Sequence, residues 1–317
     1  MKFDLYKILV IMKENLFIKG AKLLKNPKAI CQISLSYLSP LISDKLFLKL
    51  FHRLYLGYSL DLKHPKTYQE KLQWLKLYNR KPEYTIMADK VKAKEWVANK
   101  IGKEHIIPTI GVWKDPAEID FDALPDKFVL KCNHNSGLGM CICKDKKKLD
   151  IDKVKRELLK GIRQNYFLHA REWPYKDIPR RIFAEKFMTD GNNADLTDYK
   201  FFCFDGEPFM MYVSQDNAEN TTTDFFDMNF NRLPIRMKDP NSNNPPSKPD
   251  KFEEMKNLAR ILSEGIPHVR VDFYVINDCV YFGEITFFHN AGGTKVYPDE
   301  WNYKLGDLIK LPFEEKE

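Results

Sequence analysis

Three charged residues stand where a hairpin should be apolar. The stretch "VRVDFYVINDCVYFGEITFFHN", Val269 to Asn290, reads as two β-branched and aromatic runs around the polar turn "IND". Arg270, Asp272 and Glu284 sit inside those runs. Charged groups within a sheet are costly unless they are paired or hold a metal. Two carboxylates directly opposite each other have Cβ atoms about 4.5–5.5 Å apart and repel unless something positive lies between them. Mg²⁺ takes hard oxygen ligands, usually one or two carboxylates completed by substrate phosphates. An opposed Asp272 and Glu284 would be half of such a site, with the cation Arg270 one step along. The competing reading is an ion pair at a sheet edge. Two acids and an arginine on adjacent strands favour the functional one.

The chemistry depends on register, because a slip of one residue moves a side chain to the other face. With a two-residue loop, Asn277-Asp278, Ile276 pairs with Cys279, Asp272 falls opposite Gly283, and Glu284 points away. With a three-residue loop ending at Cys279, Ile276 pairs with Val280, Asp272 faces Glu284 and Arg270 faces Thr286. A five-residue loop gives the same pairing.

"RVDFYVINDCVYFGEIT" resembles the metal-binding hairpin of the ATP-grasp superfamily, an Arg-x-Asp strand followed by a strand bearing Glu-x-Asn. From about residue 60 onward the chain resembles the TupA-like ATP-grasp family. The matching stretches are "HPKTYQEKLQWLKLYNR", "MADKVKAKEWV", "LPDKFVLKCNHNSG", "DYKFFCFDGEP" and "FGEITFFHNAGG". The resemblance implies an α+β fold in which two subdomains with antiparallel sheets grip ATP, preceded by a helical N-terminal region. It implies ATP and Mg²⁺ as cofactors, and an acylphosphate formed on a carboxylate and then attacked by an amine. It associates the chain with bacterial surface polymers such as capsule, exopolysaccharide or a teichuronopeptide. It favours the register in which Asp272 faces Glu284.

By the same resemblance, Lys90 and Lys131 contact phosphate. "NHNSGLG", with Ser136 and Gly137, closes over the β- and γ-phosphates through backbone N–H groups. Glu185 lies beside the hinge, and Lys186, Phe187 and Met188 line the adenine pocket. Lys200 reaches the nucleotide. Asp272 and Glu284 hold the metal. Arg270, with Lys131, stabilises the charge in transfer. The superfamily's Asn after the Glu is Thr286 here, a poorer metal ligand, and Asn290 stands four residues on as an alternative oxygen donor. "EWPYKDIP" (172–179), with Trp173 and Tyr175, and "FFHNAGGTK" (287–295) are candidates for the acceptor side. The alternative function is a nucleotide-sugar glycosyltransferase. Its usual Asp-x-Asp appears only as Asp120-x-Asp122 and Asp150-x-Asp152, without a long apolar strand before either.

The elements that must position these residues are legible in outline. "PKTYQEKLQWLKLYN" opens on the capping-box pair Thr67 and Glu70. "ADKVKAKEWVANKIG" reads as a second helix from Asp89 to Gly102. "DKFVLKCNHNSGLGMCICKDK" is strand, loop, strand. "DIDKVKRELLKGIRQNYFLHAR" carries Ile151, Val154, Leu158, Leu159 and Ile162 on one helical face. "RRIFAEKFM" is a strand, and "DYKFFCFDGEPFMMYVS" a hairpin about "DG". Residues 238–251 are an irregular loop. "FEEMKNLARILSEG" buries Phe252, Met255, Leu258 and Leu262 and stops at Gly265. Hairpins separated by single helices predict antiparallel α+β layers. No G-x-G-x-x-G follows a strand and no G-x-x-x-x-G-K-[ST] exists, so the Rossmann and P-loop readings lose their usual markers.

A chain of 317 residues, 44% hydrophobic, has material for about two domains. The expected division is a basic helical region 1–60, a lead-in and first subdomain 61–182, and a second subdomain 183–317. Residues 1–60 hold ten Lys/Arg and three Asp/Glu, and the rest balances at 41 of each, so the whole net charge of +7 lies in that first fifth. Its apolar runs, in "LYKILVIMKENLFIKGAKLL" and "LISDKLFLKLFHRLYLGY", are too short to span a bilayer. Two readings stay open: peripheral contact with an anionic membrane, or helices docked with their lysines in water. No groove-reading motif accompanies the charge, so no nucleic-acid partner is expected. The six cysteines form no C-x-x-C, which suits free thiols in a cytoplasmic protein, there or at the inner face of the membrane.

Overall fold

The computed structural model describes residues 27–190, 196–216 and 221–312. "LYKILVIMKENLFIKGAKLL" lies outside them. Two helices begin the described chain, α1 (Pro27–Leu38) and α2 (Asp44–Leu56). Ser43 caps α2 by accepting from the Leu46 N–H, and Gly57 closes it in the left-handed region at φ 92°. Next come α3 (Tyr68–Tyr78), α4 (Pro82–Ala88) and α5 (Lys92–Ile101). The Thr67–Glu70 capping box forms in both directions. Pro82 lies beyond the end of α3. It is the first residue of α4, where its fixed φ and missing N–H suit the first turn.

The first sheet has the order β1 (Thr109–Trp113), β4 (Ile182–Lys186), β2 (Phe128–Cys132), β3 (Met140–Cys143), every pair antiparallel. Phe128, Leu130, Ile182 and Ala184 point from one face into a core closed by Val154 and Leu158 of α6 (Ile151–Arg163). Ile151, expected on that buried face, is exposed at the first turn. A short helix, α7 (Phe167–Ala170), follows.

The second sheet has the order β10 (Cys279–Thr286), β9 (His268–Ile276), β5 (Asp198–Phe204), β6 (Glu207–Asp216), β7 (Thr221–Asp227), β8 (Arg232–Leu233), also antiparallel. The β5–β6 turn is "DG", with Asp205 and Gly206 both at positive φ. Helix α8 (Phe252–Ser263) packs on one face, where Phe252 meets Phe201. Phe252, Met255, Leu258 and Leu262 are buried, and residues 238–251 form no helix or strand. The final helix is α9 (Glu300–Leu308).

β4 belongs to the first sheet, so the chain passes from one sheet to the other after Lys186 rather than at 183. Helices α3 and α4, ahead of the first sheet in sequence, share the second sheet's core through Tyr68, Leu72, Trp74, Tyr84 and Met87. All six cysteines are free thiols. Among the described residues no helix is long and apolar enough to cross a membrane.

Candidate functional site

The hairpin reaches the functional register by a route the loop arithmetic did not contain. The turn is the two-residue one: Ile276 pairs with Cys279, and Asn277 and Asp278 both take positive φ, at 48° and 61°. That is the type I′ geometry Asn-Asp tolerates. Left unbroken, this pairing would put Glu284 on the wrong face. A β-bulge between Phe282 and Glu284 inserts Gly283 as an extra residue and restores Glu284 opposite Asp272 and Thr286 opposite Arg270. The expected odd-length turn is therefore wrong, while the pairing it was meant to produce is present. Glycine suits the bulge because a Cβ there would lie 3.1 Å from both the Asp272 carbonyl oxygen and the Tyr274 ring.

The register of the neighbouring strands extends the polar face. Lys200 pairs with Asp272, Asp198 with Tyr274, and Tyr212 with Lys200. Alternation then puts Asp198, Lys200, Tyr212, Arg270, Asp272, Glu284 and Thr286 on one side of the sheet, and Phe201, Val271 and Phe273 on the side of α8. Arg270 is buried. Its Nε donates to Asp272 Oδ1 at 2.7 Å, and its Nη2 to Asp272 Oδ2 at 2.6 Å and Glu284 Oε1 at 2.9 Å. Its Nη1 meets His289 Nδ1 at 3.0 Å and the Tyr212 hydroxyl at 3.4 Å. Lys200 donates to Asp272 Oδ2 at 2.9 Å and also binds Asp198. Lys200 is thus no free surface lysine.

Electrostatics follow from this packing. Burial alone would raise the Glu284 carboxyl, but Lys90, Arg270 and Lys200 hold it down at about 2. Asp198 goes the other way: burial and then the Asp272 charge push it up, against Lys200. His289 is held neutral by burial beside Arg270. Arg270 Nη1 donates to its Nδ1, and the side-chain amide nitrogen of Asn290 stands 3.1 Å from its Nε2. That contact, and not the carboxylate pair, occupies Asn290. Thr286 Oγ1 donates to Glu284 Oε1 at 3.0 Å.

The first sheet supplies the opposite wall. Lys131 and Glu185 lie on its open face, and Lys131 Nζ donates to Glu185 Oε2 at 2.8 Å. Lys94 of α5 takes Glu185 Oε1 at 2.5 Å and also donates to the Ile107 carbonyl and the Thr109 hydroxyl. Burial would raise Glu185, but Lys131 and Lys94 outweigh it and keep it below the usual carboxylate range. Lys90 precedes α5 instead of lying on it. Its N–H donates to the Asn133 carbonyl, its Nζ to the Asn135 carbonyl at 2.9 Å, and Nζ stands 3.7 Å from Glu284. Between the walls is a cleft of about 160 Å³ lined by Lys90, Lys94, Lys131, Glu185, Asp198 and Glu284.

Other expected residues lie around this cleft. Asn133, His134 and Asn135 are buried and bonded to Asp89, Gln164 and Gly161, while Ser136 and Gly137 form an exposed tip. Lys186 is exposed at the end of β4, with its N–H on the Pro108 carbonyl, and Phe187 and Met188 are half-buried just beyond it. None of these eight lines the cleft. The Asp-x-Asp pairs serve local caps: Asp120 accepts from the Asp122 and Ala123 N–H groups, and Asp150 caps α6.

Lys94 and Asp198 were missed. Lys94 looked like one more lysine on a basic helix. Asp198 had a usable signal, since it lies two residues before Lys200 on a strand and must share its face. Also unread was the apolar part of the first sheet's open face. Val112, Val129, Met140 and Ile142 share it with Lys131 and Phe183, and Met140 and Ile142 are half exposed. A purine could be covered by such a surface.

Among the described residues no group of three or more His, Cys, Asp or Glu forms a ready metal cage. Two opposed carboxylates fit Mg²⁺, which is commonly completed by water and phosphate.

A helix from the far end of the chain steadies the loop after β10. Asn290, Ala291 and Gly292 all have positive φ. Along one face of α3, Gln69 donates to the Thr294 carbonyl, Gln73 to those of Ala291 and Gly292, and Lys76 to that of Ala291 at 2.7 Å. This fixes His289 against Arg270.

The family model described as TupA-like ATPgrasp matches residues 70–310. No curated protein matches the sequence. Among solved structures, the D-alanine-D-alanine ligase from Helicobacter pylori aligns at 15% identity and TM-score 0.44, over 76% of this chain and 69% of that one. The Bacillus anthracis D-alanine-D-alanine ligase complexed with ATP aligns at 15% identity and TM-score 0.41, over 71% and 63%. The ATP-grasp ligase PsnB, complexed with a phosphomimetic variant of its minimal precursor, Mg and ADP, aligns at 10% identity and TM-score 0.41, over 76% and 66%.

Proposed function

Because the chain belongs to the TupA-like ATP-grasp family, we propose that it is an ATP-dependent carboxylate–amine ligase working through an acylphosphate. The observation that carries this reading is the bulged register, which sets Asp272 beside Glu284, the carboxylate that lines the cleft with Lys131 and Lys94. A carboxylate oxygen of the acid attacks the γ-phosphorus, and the bond to the bridging oxygen breaks, releasing ADP. The amine nitrogen then attacks the acyl carbon, the acyl–oxygen bond breaks, phosphate leaves with the electron pair, and the nitrogen gives up its proton to solvent.

Lys131, Lys94 and Lys90 would bind the phosphates, and Lys200 the nucleotide. Ser136 and Gly137 would cover them from the loop tip, and Lys186, Phe187 and Met188 would line the base. Asp272 and Glu284 would hold Mg²⁺, which neutralises phosphate charge when bound. Each of these cations is satisfied by an acid: Lys131 and Lys94 by Glu185, Arg270 and Lys200 by Asp272. Phosphate binding therefore exchanges one charge-assisted partner for another and leaves no buried charge bare. All three nitrogens of Arg270 already donate, so it contributes by holding Asp272 and Glu284 in place, and reaches a reacting oxygen only by giving up one of these partners.

The family resemblance supports a reaction in bacterial surface-polymer assembly, and we propose a uronic acid of a glycan as the acid. The test is incubation with ATP, Mg²⁺, uronic acids and amino acids. Release of ADP and phosphate that depends on both acceptors supports the ligase. Release of UDP from a UDP-sugar with ATP inert would overturn it. We also place α2 at an anionic membrane surface. Leu46 and Leu50 are exposed on it, beside Lys45, Lys49 and Arg53 in sequence. Flotation with anionic vesicles, lost on changing Lys45 and Lys49 to Glu, tests that placement.

A further inference from the structure

Six acidic side chains are buried among the described residues: Glu70, Asp89, Glu172, Glu185, Asp224 and Asp272. Five of them are held. Glu70 accepts from the Lys66 and Thr67 N–H groups, Asp89 from Asn133 and Arg181, and Asp224 from Arg232. Glu185 has its two lysines, and Asp272 has Arg270 and Lys200. Glu172 is the exception. It is 6% exposed, yet its carboxylate makes no hydrogen bond and no ion pair with a described residue. Its oxygens keep open space beside them, unlike the sealed, unpartnered ring nitrogens of His52. A buried charge without a partner is costly, and such groups concentrate at functional sites.

The backbone around Glu172 is fixed on both sides. Arg171 takes the left-handed φ of 56°, and its buried guanidinium binds Asp44 at 2.8 Å and the carbonyls of Ser39 and Ile42. The Tyr175 N–H donates to the Glu172 carbonyl at 3.2 Å, and the turn Trp173–Tyr175 packs on α4. Lys76 ties this segment to the site. Its Nζ donates to the Ala170 carbonyl at 2.9 Å and to the Ala291 carbonyl at 2.7 Å. One ammonium thus joins the residue two before Glu172 to the residue two after His289, which touches Arg270. Glu172 lies in the field of Glu284, Arg270 and Lys90, and Tyr166 and Tyr175, edge to face at 4.9 Å, feel both Glu172 and Glu284. Burial pushes the Glu172 carboxyl above the usual range and Glu284 adds to the rise, while Lys76, Arg270 and Lys90 oppose it without cancelling it.

We propose that Glu172 is the base that activates the amine for attack on the acylphosphate. The inference rests on the ligase reading and adds the residue that prepares the nucleophile. An amine arrives at neutral pH as an ammonium, which has no lone pair. That ammonium is the charge-assisted partner Glu172 lacks. One proton passes from nitrogen to a Glu172 oxygen, and the N–H electron pair stays on nitrogen as its lone pair. The lone pair forms the bond to the acyl carbon, and the acyl–oxygen bond breaks with its electrons going to phosphate. The remaining surplus proton on nitrogen leaves to solvent, and Glu172 then releases its own. A carboxylate made more basic by burial is suited to this transfer.

The experiment compares the full chain with Glu172→Gln on two kinds of nucleophile. ATP·Mg²⁺ and glucuronate or galacturonate are supplied with the standard amino acids, and separately with hydroxylamine, which is largely unprotonated at neutral pH and needs no base. With an amino acid, kcat of the variant should fall about a hundredfold. Its rate should also keep climbing with pH, roughly tenfold per unit as free amine accumulates, where the wild type levels off. Hydroxylamine should rescue the variant, giving hydroxamate as the wild type does. Calorimetric melts need no substrate. The raised carboxyl stabilises the fold at low pH and loses that contribution as pH rises, so Glu172→Gln should melt above the wild type at pH 8 and the gap should close toward pH 5. Equal losses with both nucleophiles, or a variant that melts below the wild type at pH 8, would overturn the proposal. A wild type that releases no ADP and traps no hydroxamate removes the ligase reading and this proposal with it. Hydroxamate from both proteins, with amino-acid turnover unchanged in the variant, removes this proposal alone.

Discussion

Replacing Asp272 by Asn should unfold the protein earlier as well as silence it, and Glu284→Gln should silence it without that cost. Asp272 is 1% exposed and its two oxygens accept three charge-assisted hydrogen bonds, from Arg270 Nε and Nη2 and from Lys200. The Asn amide offers one acceptor oxygen and turns an N–H₂ toward two cations. Removing one partner of a buried ion pair typically costs about 3–5 kcal/mol. Arg270 keeps Glu284 and Lys200 keeps Asp198, so the lower end, about 3 kcal/mol, applies. At about 2–4 °C per kcal/mol for larger domains, the melting temperature should fall by roughly 6–12 °C. Glu284 retains a third of its side-chain exposure and pairs with Arg270 at 2.9 Å and Lys90 at 3.7 Å. Water screens these pairs in part, so its neutralisation should cost less than that of Asp272. Both variants should lose about a hundredfold or more in ADP formation. The assay is a calorimetric melt at pH 7 without nucleotide, beside the turnover measurement. Equal melting of Asp272→Asn and the wild type, or an equal drop for both variants, would refute the account of Asp272 as the central anion of the network.

Gly283→Val should destabilise the chain by about 1–3 kcal/mol in urea titration, because the new side chain meets the Asp272 carbonyl and the Tyr274 ring at the bulge. Lys94→Met should weaken ATP·Mg²⁺ binding by calorimetry about as much as Lys131→Met, roughly tenfold, since Glu185 then holds Lys131 alone. Acid should destabilise the fold through buried imidazoles. Burial holds His268 down at about 3, so the unfolded chain takes up its proton first as pH falls below about 6.5. Stability should then fall by about 1.4 kcal/mol per pH unit from this group down to its folded value. In His268→Gln the slope between pH 6.5 and 5 should be smaller by that amount, and an unchanged slope would refute it.

Much of the site is legible because strand alternation is a strict rule. Once Asp272 and Lys200 are placed on paired strands, their common face follows. The bulge is a different matter. The turn residues Asn277-Asp278 argue for a tight loop and the carboxylates argue for an odd one. Only an extra residue inside the strand reconciles them, and Gly283 was the available sign. The strand Thr221–Asp227 went unassigned because its partner contacts, with β6 and β8, are set by distant segments. Lys94 and Glu185 found each other across a helix and a sheet, a pairing that no local pattern encodes.

The face of α3 that grips residues 291–294 has a consequence for the order in which the molecule can be made. Its hydrogen bonds join residues more than two hundred positions apart, from Gln69 to Thr294 and from Lys76 to Ala291. During synthesis α3 emerges early, and Lys76, which is fully buried in the finished fold, can reach the Ala170 carbonyl first but must wait for the segment after β10 for that of Ala291. Contacts of such separation close late. His289 and Arg270 therefore come into position only with the last tenth of the chain, and a nascent polypeptide stays inactive until then.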